Sequence, residues 1–318
     1  TTRGKHRGSR SWRRARMLRG VIGSRVAPVV LSIGGAALVA LHMWRRRLSA
    51  AAATKPLILF DVDGTLAVPA QKASEQMLEL LATLRSRGYL VGIVGAGDYD
   101  KQEGQLGGPD LRERLDFCFS ENGVHAFHGT RLLHCKSIVD QLGSARWAEF
   151  EAGLAAIQAS VHAEAEGLLR QACGDAAATL DTRGTFLERR QCTINICIIG
   201  RTPGLTREQR AAFDAADRAA GLRVRVVDEL HRRFGPATPY RLMFTIGGQI
   251  GIDCAPCGWD KTFCLNFLPA SQFPTIHFFG DKTLPGGGDY ELYSHARTLG
   301  HAVGSPEETL SEVRRLFL

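Results

Sequence analysis

The sequence predicts an α/β protein with a Rossmann-like parallel-sheet core, interrupted by an inserted α+β cap domain. Two observations predict this fold class. Short apolar runs that end at Asp61, Gly95 and Asp281 alternate with segments of helical period, as expected for buried parallel strands and crossover helices. The first two runs lie close together, whereas the third follows a long intervening stretch, so we expect an insertion between them.

The composition is that of a globular protein, because 44% of the 318 residues are hydrophobic and 23% are charged. The formal net charge of +8 arises in an amino-terminal extension, since residues 1–60 contain eleven Arg, two Lys and no acidic residue. The remaining body is mildly acidic, which gives no support for a nucleic-acid-binding face. The eight Cys are too few for a disulfide scaffold, and their mostly irregular spacing suits a reducing compartment.

Residues 1–54 are predicted to be a basic extension with an apolar segment at residues 26–44. A helix of that length spans about 28 Å, roughly the hydrocarbon core of a bilayer. A single membrane anchor is one interpretation, and an Arg-rich organellar transit segment is a second. A spurious upstream stretch is the third.

The first elements of the body are a strand, a helix and a second strand. Residues 57–60 form a continuous apolar run, which is typical of a buried parallel strand. Apolar residues recur at helical spacing over residues 75–87, and a second apolar run covers residues 89–94. This alternation begins an α/β sheet.

The rest of the body divides at the predicted insertion. We expect a catalytic core of residues 55–130 and 255–318, and an inserted cap of residues 131–254. Periodicity and β-branched content predict further helices and strands. The predicted helices are 143–174, 207–220 and 290–298, and the predicted strands are 190–200, 223–227, 241–246, 275–279 and a last short strand that ends at Val303.

Asp61 and Asp63 follow the first predicted strand, at the edge where open α/β sheets bind ligands. Gly64 permits a tight turn, so one carboxylate can act as nucleophile and the other as general acid/base. A divalent cation beside Asp61 would screen its charge from an incoming phosphate. The alternative, a calcium-binding loop, fails because the pattern lacks a third acid. The motif therefore favours phosphoryl transfer.

Two later segments supply charges that suit the same chemistry. Lys261 precedes a short apolar helix, and a positioned Lys can neutralise both a carboxylate nucleophile and a bound phosphoryl group. Asp281 ends the third apolar run, and the glycines at 286–288 let the chain fold back so that Asp289 comes near it. Because Mg²⁺ prefers oxygen ligands, this pair of acids predicts a magnesium site.

Seven short motifs occur in a fixed order along the body. They are Phe60-Asp61-Val62-Asp63-Gly64-Thr65-Leu66, Gln105-Leu106-Gly107, Glu121-Asn122-Gly123, Arg183-Gly184-Thr185-Phe186, Ile246-Gly247-Gly248-Gln249-Ile250, Gly258-Trp259-Asp260-Lys261 and Phe278-Phe279-Gly280-Asp281-Lys282-Thr283. In this combination the sequence resembles the eukaryotic phosphomannomutase family of the haloacid dehalogenase superfamily. The resemblance covers about residues 56–318 and leaves residues 1–54 outside it.

The resemblance implies a haloacid dehalogenase fold with a four-stranded antiparallel cap sheet, a homodimer formed through the cap, and a cytoplasmic location. The implied reaction interconverts mannose 6-phosphate and mannose 1-phosphate and supplies GDP-mannose for glycosylation. A hexose 1,6-bisphosphate would activate the enzyme and form as its intermediate. These hexose phosphates are the implied partners.

The resemblance also assigns roles to individual residues. Asp61 would be phosphorylated, Asp63 would act as acid/base, and Lys261 would complete the catalytic set. The remaining implied roles are Mg²⁺ binding by Asp61, the Asp63 carbonyl, Asp281 and, in support, Asp289, and substrate binding by Arg190, Arg201, Arg210 and Asp253.

Among the residues that depart from the family pattern, three replace residues that would normally contact the substrate or its phosphoryl group. Ala70 replaces an Arg that normally touches substrate, Gly97 replaces a Ser that contacts the transferring phosphoryl group, and Gly251 replaces a Ser that contacts the sugar. Each lost charge-assisted contact costs on the order of 1.5–3 kcal/mol. Two alternatives follow: a sugar-phosphate phosphatase on the same scaffold, and a membrane-tethered pseudoenzyme that binds sugar phosphates.

Overall fold

The structure, a computed structural model, describes residues 56–174, 185–201 and 205–318, without the side chains of Thr185 and Arg201. The chain divides into Thr1–Ala53 and Thr54–Leu318, and the first unit lies outside the described residues. The predictions for the extension and its apolar segment 26–44 therefore lie outside them too. Among the helices that are described, none is long and apolar enough to cross a membrane.

The described elements alternate as an α/β protein requires. The strands in chain order are β1 Leu57–Phe60, β2 Leu90–Val94, β3 Phe117–Ser120, β4 His125–His128, β5 Arg131–His134, β6 Thr185–Arg189, β7 Ile194–Arg201, β8 Leu242–Gly247, β9 Gly251–Pro256, β10 Ile276–Gly280 and β11 Thr298–Ala302. The helices are α1 Glu75–Ser86, α2 Tyr99–Gln105, α3 Leu111–Arg114, α4 Ile138–Leu142, α5 Ser144–Cys173, α6 Arg207–Ala220, α7 Leu222–Phe234, α8 Tyr290–Tyr293 and α9 Pro306–Phe317. Short 3₁₀ turns cover Glu121–Gly123 and Lys261–Phe267.

The larger sheet has seven strands in the order β11-β10-β1-β2-β3-β4-β5. The first five are parallel, and β4 and β5 add to the edge in antiparallel fashion. Strand β1 lies in the middle, and all four of its residues are buried because apolar clusters cover both faces of the sheet. The predicted parallel-sheet fold class is confirmed.

The smaller sheet has four antiparallel strands in the order β6-β7-β9-β8. Helices α5 and α7 pack against it, and Phe150 of α5 contacts Phe234 of α7 edge-on with ring centroids 4.9 Å apart. This sheet and its helices form a hydrophobic cluster separate from those of the larger sheet. The inserted cap of α+β type is thus present.

The prediction of a strand at residues 223–227 is wrong, because these residues lie in helix α7, Leu222–Phe234. The alternation of Arg and Val suggested a strand with one exposed face. Instead Arg223 is buried and makes ion pairs with Asp214 and Asp217 of α6, while Val224 is 53% exposed. Because its charge is paired, Arg223 can be buried. The charged residue therefore lies inside, where the alternating pattern predicted an exposed position.

Other boundaries also differ from the predictions. The strand expected over residues 190–200 begins at Ile194, because the chain turns between β6 and β7. The helix expected over residues 290–298 ends at Tyr293, because the chain from Thr298 joins the sheet as β11 beside β10. Strand β5 pairs with β4 in the larger sheet, and β9 continues to Pro256 in the cap sheet. We therefore propose a core of residues 56–134 and 257–318, with a cap of residues 135–256.

Candidate active site

Asp61 and Asp281 stand at the carboxyl ends of two neighbouring parallel strands. Strands β1 and β10 pair in register, with Phe60 opposite Phe279, so both chains leave the sheet at the same edge. The Asp61 amide donates a hydrogen bond of 2.9 Å to the Phe279 carbonyl, which extends the ladder to the carboxylate residue itself. The Asp61 side chain is thereby fixed in a buried position.

The turn after Asp61 leaves room for the Asp281 carboxylate. The Val62 carbonyl accepts hydrogen bonds from the amides of Leu66 and Ala67, both 3.0 Å long, which closes a tight loop. Gly64 has a φ of +91°, and a Cβ at this position would lie 2.7 Å from Cγ of Asp281. Glycine is therefore required by both the backbone conformation and the close approach.

Lys261 begins the 3₁₀ turn Lys261–Phe267, and its side chain is buried against two carboxylates. Its Nζ donates to Oδ1 of Asp61 at 2.5 Å and also to Oδ1 of Asp289. Asp260 caps the turn by accepting from the Thr262 amide at 2.8 Å. The geometry thus holds one ammonium between the predicted nucleophile and a predicted metal ligand.

Three carboxylates meet around this single ammonium. One oxygen from each of Asp61, Asp281 and Asp289 lies within 4.8 Å of the others. The Oδ1 atom of Asp281 is buried and has no hydrogen-bond partner in the described part of the chain. A cluster with excess negative charge and an unsatisfied oxygen suits a hard divalent cation, so the donor set fits Mg²⁺.

The protonation equilibria of these groups reflect the same imbalance of charge. Burial raises the pKa of Asp61 to about 6, although the Lys261 ammonium opposes the shift. Burial likewise raises the pKa of Asp281, and the Asp289 carboxylate adds to the increase. For Lys261, burial disfavours the charged form, but the carboxylates of Asp61 and Asp289 outweigh it and raise the pKa. The site therefore favours additional positive charge.

Asp63 lies beside the cluster and is held by three donors. Its carboxylate forms an ion pair with Lys101, accepts from Nε2 of Gln105 at 2.8 Å, and accepts from the Ala70 amide at 3.1 Å. Burial acts to raise the pKa of Asp63, but Lys101 and the hydrogen bonds outweigh it and lower the pKa. In this arrangement the carboxylate is ionised and anchored.

Sequence reasoning missed Lys101, and it noted Gln105 only as part of a motif, without a role. Both lie on α2, whose amino terminus is capped by the Asp98 side chain accepting from the Lys101 amide at 2.8 Å. Residues four apart on a helix share a face, so the cap and this spacing together could have placed both side chains toward the strand edge.

The predicted cap residues reach the site to different degrees. Nη1 of Arg190 donates to the Ala96 carbonyl of the core at 3.3 Å and lies 3.3 Å from Oδ1 of Asp253. Asn195 also donates to that Asp253 oxygen, at 2.8 Å. The Nε atoms of Arg190 and Arg210 are buried without a hydrogen-bond partner among the described residues. The Arg201 side chain lies outside the described residues.

Other side chains fill the space beside two of the departures from the family pattern. A Cβ at Gly97 would lie 3.1 Å from Cδ and 3.8 Å from Nζ of Lys101, so the Lys101 chain fills the space beside position 97. A Cβ at Gly251 would lie 2.6 Å from the side-chain amide of Asn195. Restoring a serine at either position therefore requires the neighbouring side chain to move.

Glu121 joins the core to the cap, and sequence reasoning assigned it no role. Its buried carboxylate accepts from the amides of Cys192 at 3.0 Å and Thr193 at 2.6 Å, and from the Thr193 hydroxyl at 2.6 Å. These partners lie in the turn between β6 and β7, which also carries Arg190. Glu121 therefore fixes the position of that turn over the core.

We expect Glu121→Gln to lower the free energy of unfolding by about 1.5–3 kcal/mol, because hydrogen bonds to a charged acceptor are lost. The glutamine side chain also has an NH₂ group, which would face the N–H and O–H donors of Cys192 and Thr193 and could not accept from them. Urea denaturation monitored by circular dichroism measures the change. Glu113→Gln is the matched control, since Glu113 is exposed on α3 and should change stability little. Equal midpoints for the two variants would contradict the assigned contact.

Comparisons with known proteins agree on one family. A family model described as eukaryotic phosphomannomutase matches residues 77–159 and 176–318. The phosphomannomutase of Galdieria sulphuraria is 42% identical over 267 residues, which cover 83% of this chain and 95% of that protein. The phosphomannomutase of Schizosaccharomyces pombe is 38% identical over 268 residues, which cover 83% of this chain and 95% of that protein. The phosphomannomutase of Saccharomyces cerevisiae is 37% identical over 261 residues, which cover 82% of this chain and 94% of that protein.

Proposed function

The chain belongs to the eukaryotic phosphomannomutase family and is an isomerase of that class, and we propose that it interconverts mannose 6-phosphate and mannose 1-phosphate. The observation that carries this proposal is the buried Asp61, paired with Lys261 at the edge of a parallel sheet. That arrangement suits an aspartate that accepts and returns a phosphoryl group.

In the proposed reaction, Asp61 attacks the phosphorus of a sugar phosphate and becomes an aspartyl phosphate. The bond between phosphorus and the sugar oxygen breaks, and that oxygen takes up a proton and leaves as a hydroxyl. Lys261 holds the carboxylate in place and offsets negative charge as the phosphoryl group approaches. The phosphoryl group then passes to a hydroxyl of the sugar, which regenerates Asp61. A hexose 1,6-bisphosphate would supply the first phosphoryl group and would also be the intermediate.

Asp63 would act as general acid and base toward the sugar oxygen. Its ion pair with Lys101 and its hydrogen bond with Gln105 favour the ionised carboxylate, which is the form that accepts a proton. To reach the sugar, the Asp63 side chain must exchange these partners for the substrate hydroxyl. Lys101 would then stay at the strand edge, where a free ammonium favours a bound phosphate.

The proposed metal is Mg²⁺, held by the carboxylates of Asp61 and Asp281 and by the carbonyl of Asp63, with Asp289 in support. The unpartnered Oδ1 of Asp281 and the excess of carboxylates over ammonium support this set. When bound, Mg²⁺ would offset the negative charge of the phosphoryl group. Asp289 accepts from the Lys282 amide at 2.9 Å, which orients its carboxylate within the cluster.

We expect Mg²⁺ to raise the melting temperature more at pH 7.5 than at pH 5.5. The pKa of Asp61 in the metal-free fold is about 6, above the ordinary value of 3.8, so folding favours its protonated form between these values. Stability of the metal-free protein therefore falls as pH rises through about 6, while metal affinity rises. Differential scanning fluorimetry with EDTA or Mg²⁺ measures both trends.

Asp281→Asn should abolish most of the Mg²⁺ effect, whereas Asp110→Asn, an exposed control in a left-handed conformation that Asn tolerates, should retain it. A Mg²⁺ effect that does not change with pH would contradict the proposed ligand set.

We propose that residues of the cap bind the substrate. Arg190 and Arg210 each carry a buried guanidinium Nε without a partner among the described residues, which suits an anionic ligand. Asp253 pairs with Arg190 and would bind sugar hydroxyls. Arg201 is proposed as a further phosphate ligand from the family resemblance alone.

Arg190→Ala is expected to raise KM more than it lowers kcat, because it removes phosphate binding that is similar in the ground and transition states. Arg189→Ala is a matched control, since the Arg189 side chain is exposed and pairs with Glu151 of the cap. Steady-state kinetics on mannose 1-phosphate measures the split. A pure loss of kcat with unchanged KM would contradict the role proposed for Arg190.

A coupled assay with mannose 1-phosphate, Mg²⁺ and a catalytic hexose 1,6-bisphosphate tests the proposed function. We expect mannose 6-phosphate to accumulate. Release of free phosphate instead would indicate a sugar-phosphate phosphatase, as the altered positions 70 and 97 suggest. No turnover with either acceptor would favour a sugar-phosphate-binding protein without catalysis.

We further propose that the product supplies GDP-mannose for glycosylation in the cytoplasm, as the family resemblance implies. The proposed assembly is a homodimer through the cap. Strand β8 is the edge of the cap sheet and exposes two apolar side chains, Met243 at 42% and Ile246 at 40%, which suits such an interface.

A further inference from the structure

Two cysteines that are distant in sequence meet where the core joins the cap. The Sγ atoms of Cys135 and Cys192 are 3.6 Å apart. Cys135 directly follows β5, the last strand of the core sheet, and is exposed. Cys192 is buried in the turn between β6 and β7 of the cap. A disulfide requires an approach of about 1.5 Å from this separation.

Hydrogen bonds of the neighbouring backbone and side chains keep the two sulfurs close together. The Cys192 carbonyl accepts from the Ile138 amide at 2.7 Å, which ties the cap turn to the segment that follows Cys135. The Cys192 amide donates to Glu121 of the core at 3.0 Å. On the other side, a ring nitrogen of His134 is 2.7 Å from the Val124 carbonyl, which anchors the end of β5. Both thiols are therefore positioned by hydrogen bonds on either side of the core–cap junction.

We propose that Cys135 and Cys192 form a thiol pair that reacts with a low-molecular-weight disulfide to give an intramolecular disulfide between the start of the cap, directly after β5, and the β6–β7 turn. The pair is a modification site, and the oxidant it takes is a small disulfide such as oxidised glutathione. The proposal rests on the contact between the two sulfurs and on the exposure of one of them.

The two thiols would have different roles in the exchange. Exposed Cys135 attacks first as a thiolate: its sulfur bonds to one sulfur of RSSR, the S–S bond breaks, and RS⁻ leaves. Cys192 then loses its proton, and its sulfur attacks the Cys135 sulfur of the mixed disulfide, which expels a second RS⁻. With two protons taken up by the leaving thiolates, one RSSR and two protein thiols give one protein disulfide and two RSH.

The environment of Cys192 favours Cys135 as the thiol that reacts first. Burial raises the pKa of Cys192, and the Glu121 carboxylate nearby adds to the increase. Cys192 is thus kept as a thiol in the resting protein, so the first attack falls to exposed Cys135.

A disulfide at this point would have a mechanical consequence, which rests on the proposed function. It would bind the β6–β7 turn, and with it Arg190, covalently to the residue that directly follows β5, the last strand of the core sheet. Transfer at both ends of a sugar bisphosphate requires the ligand to turn or exchange between two half-reactions, and a fixed cap hinders that exchange. Oxidation should therefore lower mutase turnover several-fold, and reduction should restore it.

The test exposes the full chain to oxidised glutathione, quenches free thiols with an alkylating agent, and maps disulfides by mass spectrometry. We expect a peptide in which Cys135 is linked to Cys192, about 2 Da lighter than the two free-thiol peptides together, and we expect dithiothreitol to reverse the link. Cys257→Ser should still form the link. Cys135→Ser should not, and because Cys135 is exposed this variant should fold.

A glutathione adduct that persists on Cys135 without resolution, or a disulfide between other cysteines, would overturn the proposed pair. A link that forms without change in turnover would overturn its regulatory consequence alone. Lack of mutase activity in the reduced, untreated protein would instead count against the proposed function, because the mass readout does not depend on turnover.

Discussion

Asp61→Asn is expected to lower mutase turnover by on the order of 10³-fold or more, the largest loss of activity for any single change in this protein. An amide oxygen at this position is a poor nucleophile and cannot carry the phosphoryl group as an acyl phosphate. The loss should fall on kcat, because the cap arginines that we propose as phosphate ligands remain. Coupled kinetics gives the size of the effect.

Stability should change in the opposite sense in the absence of metal. Asp61 is one of three crowded carboxylates and shares the Lys261 ammonium with Asp289, and burial already raises the pKa of Asp61 to about 6. A neutral Asn removes charge repulsion, so the metal-free variant should be at least as stable as the parent at pH 7.5. A loss of both activity and fold would point to a structural role for Asp61.

Rapid quenching during turnover with radiolabelled bisphosphate offers an independent readout. The parent should yield an acid-stable, hydroxylamine-sensitive label on the peptide that contains Asp61, and Asp61→Asn should yield none. Asp110→Asn, exposed and in a left-handed conformation, serves as the control for an Asp-to-Asn change and should label normally. An equal label on Asp61→Asn would mean that another residue carries the phosphoryl group.

The core fold was predictable because its signal is local. The central strand Leu57–Phe60 is a short run in which every residue is buried, and the acid that follows it marks the strand end. The prediction of a strand at residues 223–227 failed because a charged residue there is buried. Arg223 is almost fully buried by ion pairs with Asp214 and Asp217, so its charge gave a false indication of an exposed strand face.

The candidate site was predictable to the extent that motifs carry it. Asp61, Lys261 and Asp289 come from three distant segments, and the structure brings them into direct contact. The contacts of Lys101 with Asp63, and of Glu121 with the β6–β7 turn, depend on how helices and the cap pack. Such contacts cannot be read from hydrophobic periodicity in a single sequence. A side chain that bonds a partner distant in sequence needs only to be polar, and many polar residues do not make such bonds.

Lys261→Met should have the largest effect on stability, a loss of about 3–5 kcal/mol in the metal-free protein. Methionine keeps much of the apolar stem but removes the ammonium that Asp61 and Asp289 share. Two buried carboxylates then face each other and Asp281 without a countercharge. The pKa of Asp61 should rise further, so the destabilisation should be smaller at pH 5.5 than at pH 7.5.

Urea denaturation in EDTA at both pH values measures this loss, and Lys136→Met, an exposed lysine bonded to Gln141, is the matched control. Adding Asp289→Asn to Lys261→Met should recover part of the stability, because the second change removes a charge that the first left unpaired. Saturating Mg²⁺ should also reduce the difference from the parent, since the ion would offset the same carboxylates. If neither the second substitution, nor Mg²⁺, nor lower pH relieves the loss, then Lys261 stabilises the fold by packing rather than by charge. Its assignment as the countercharge of the nucleophile would then fail.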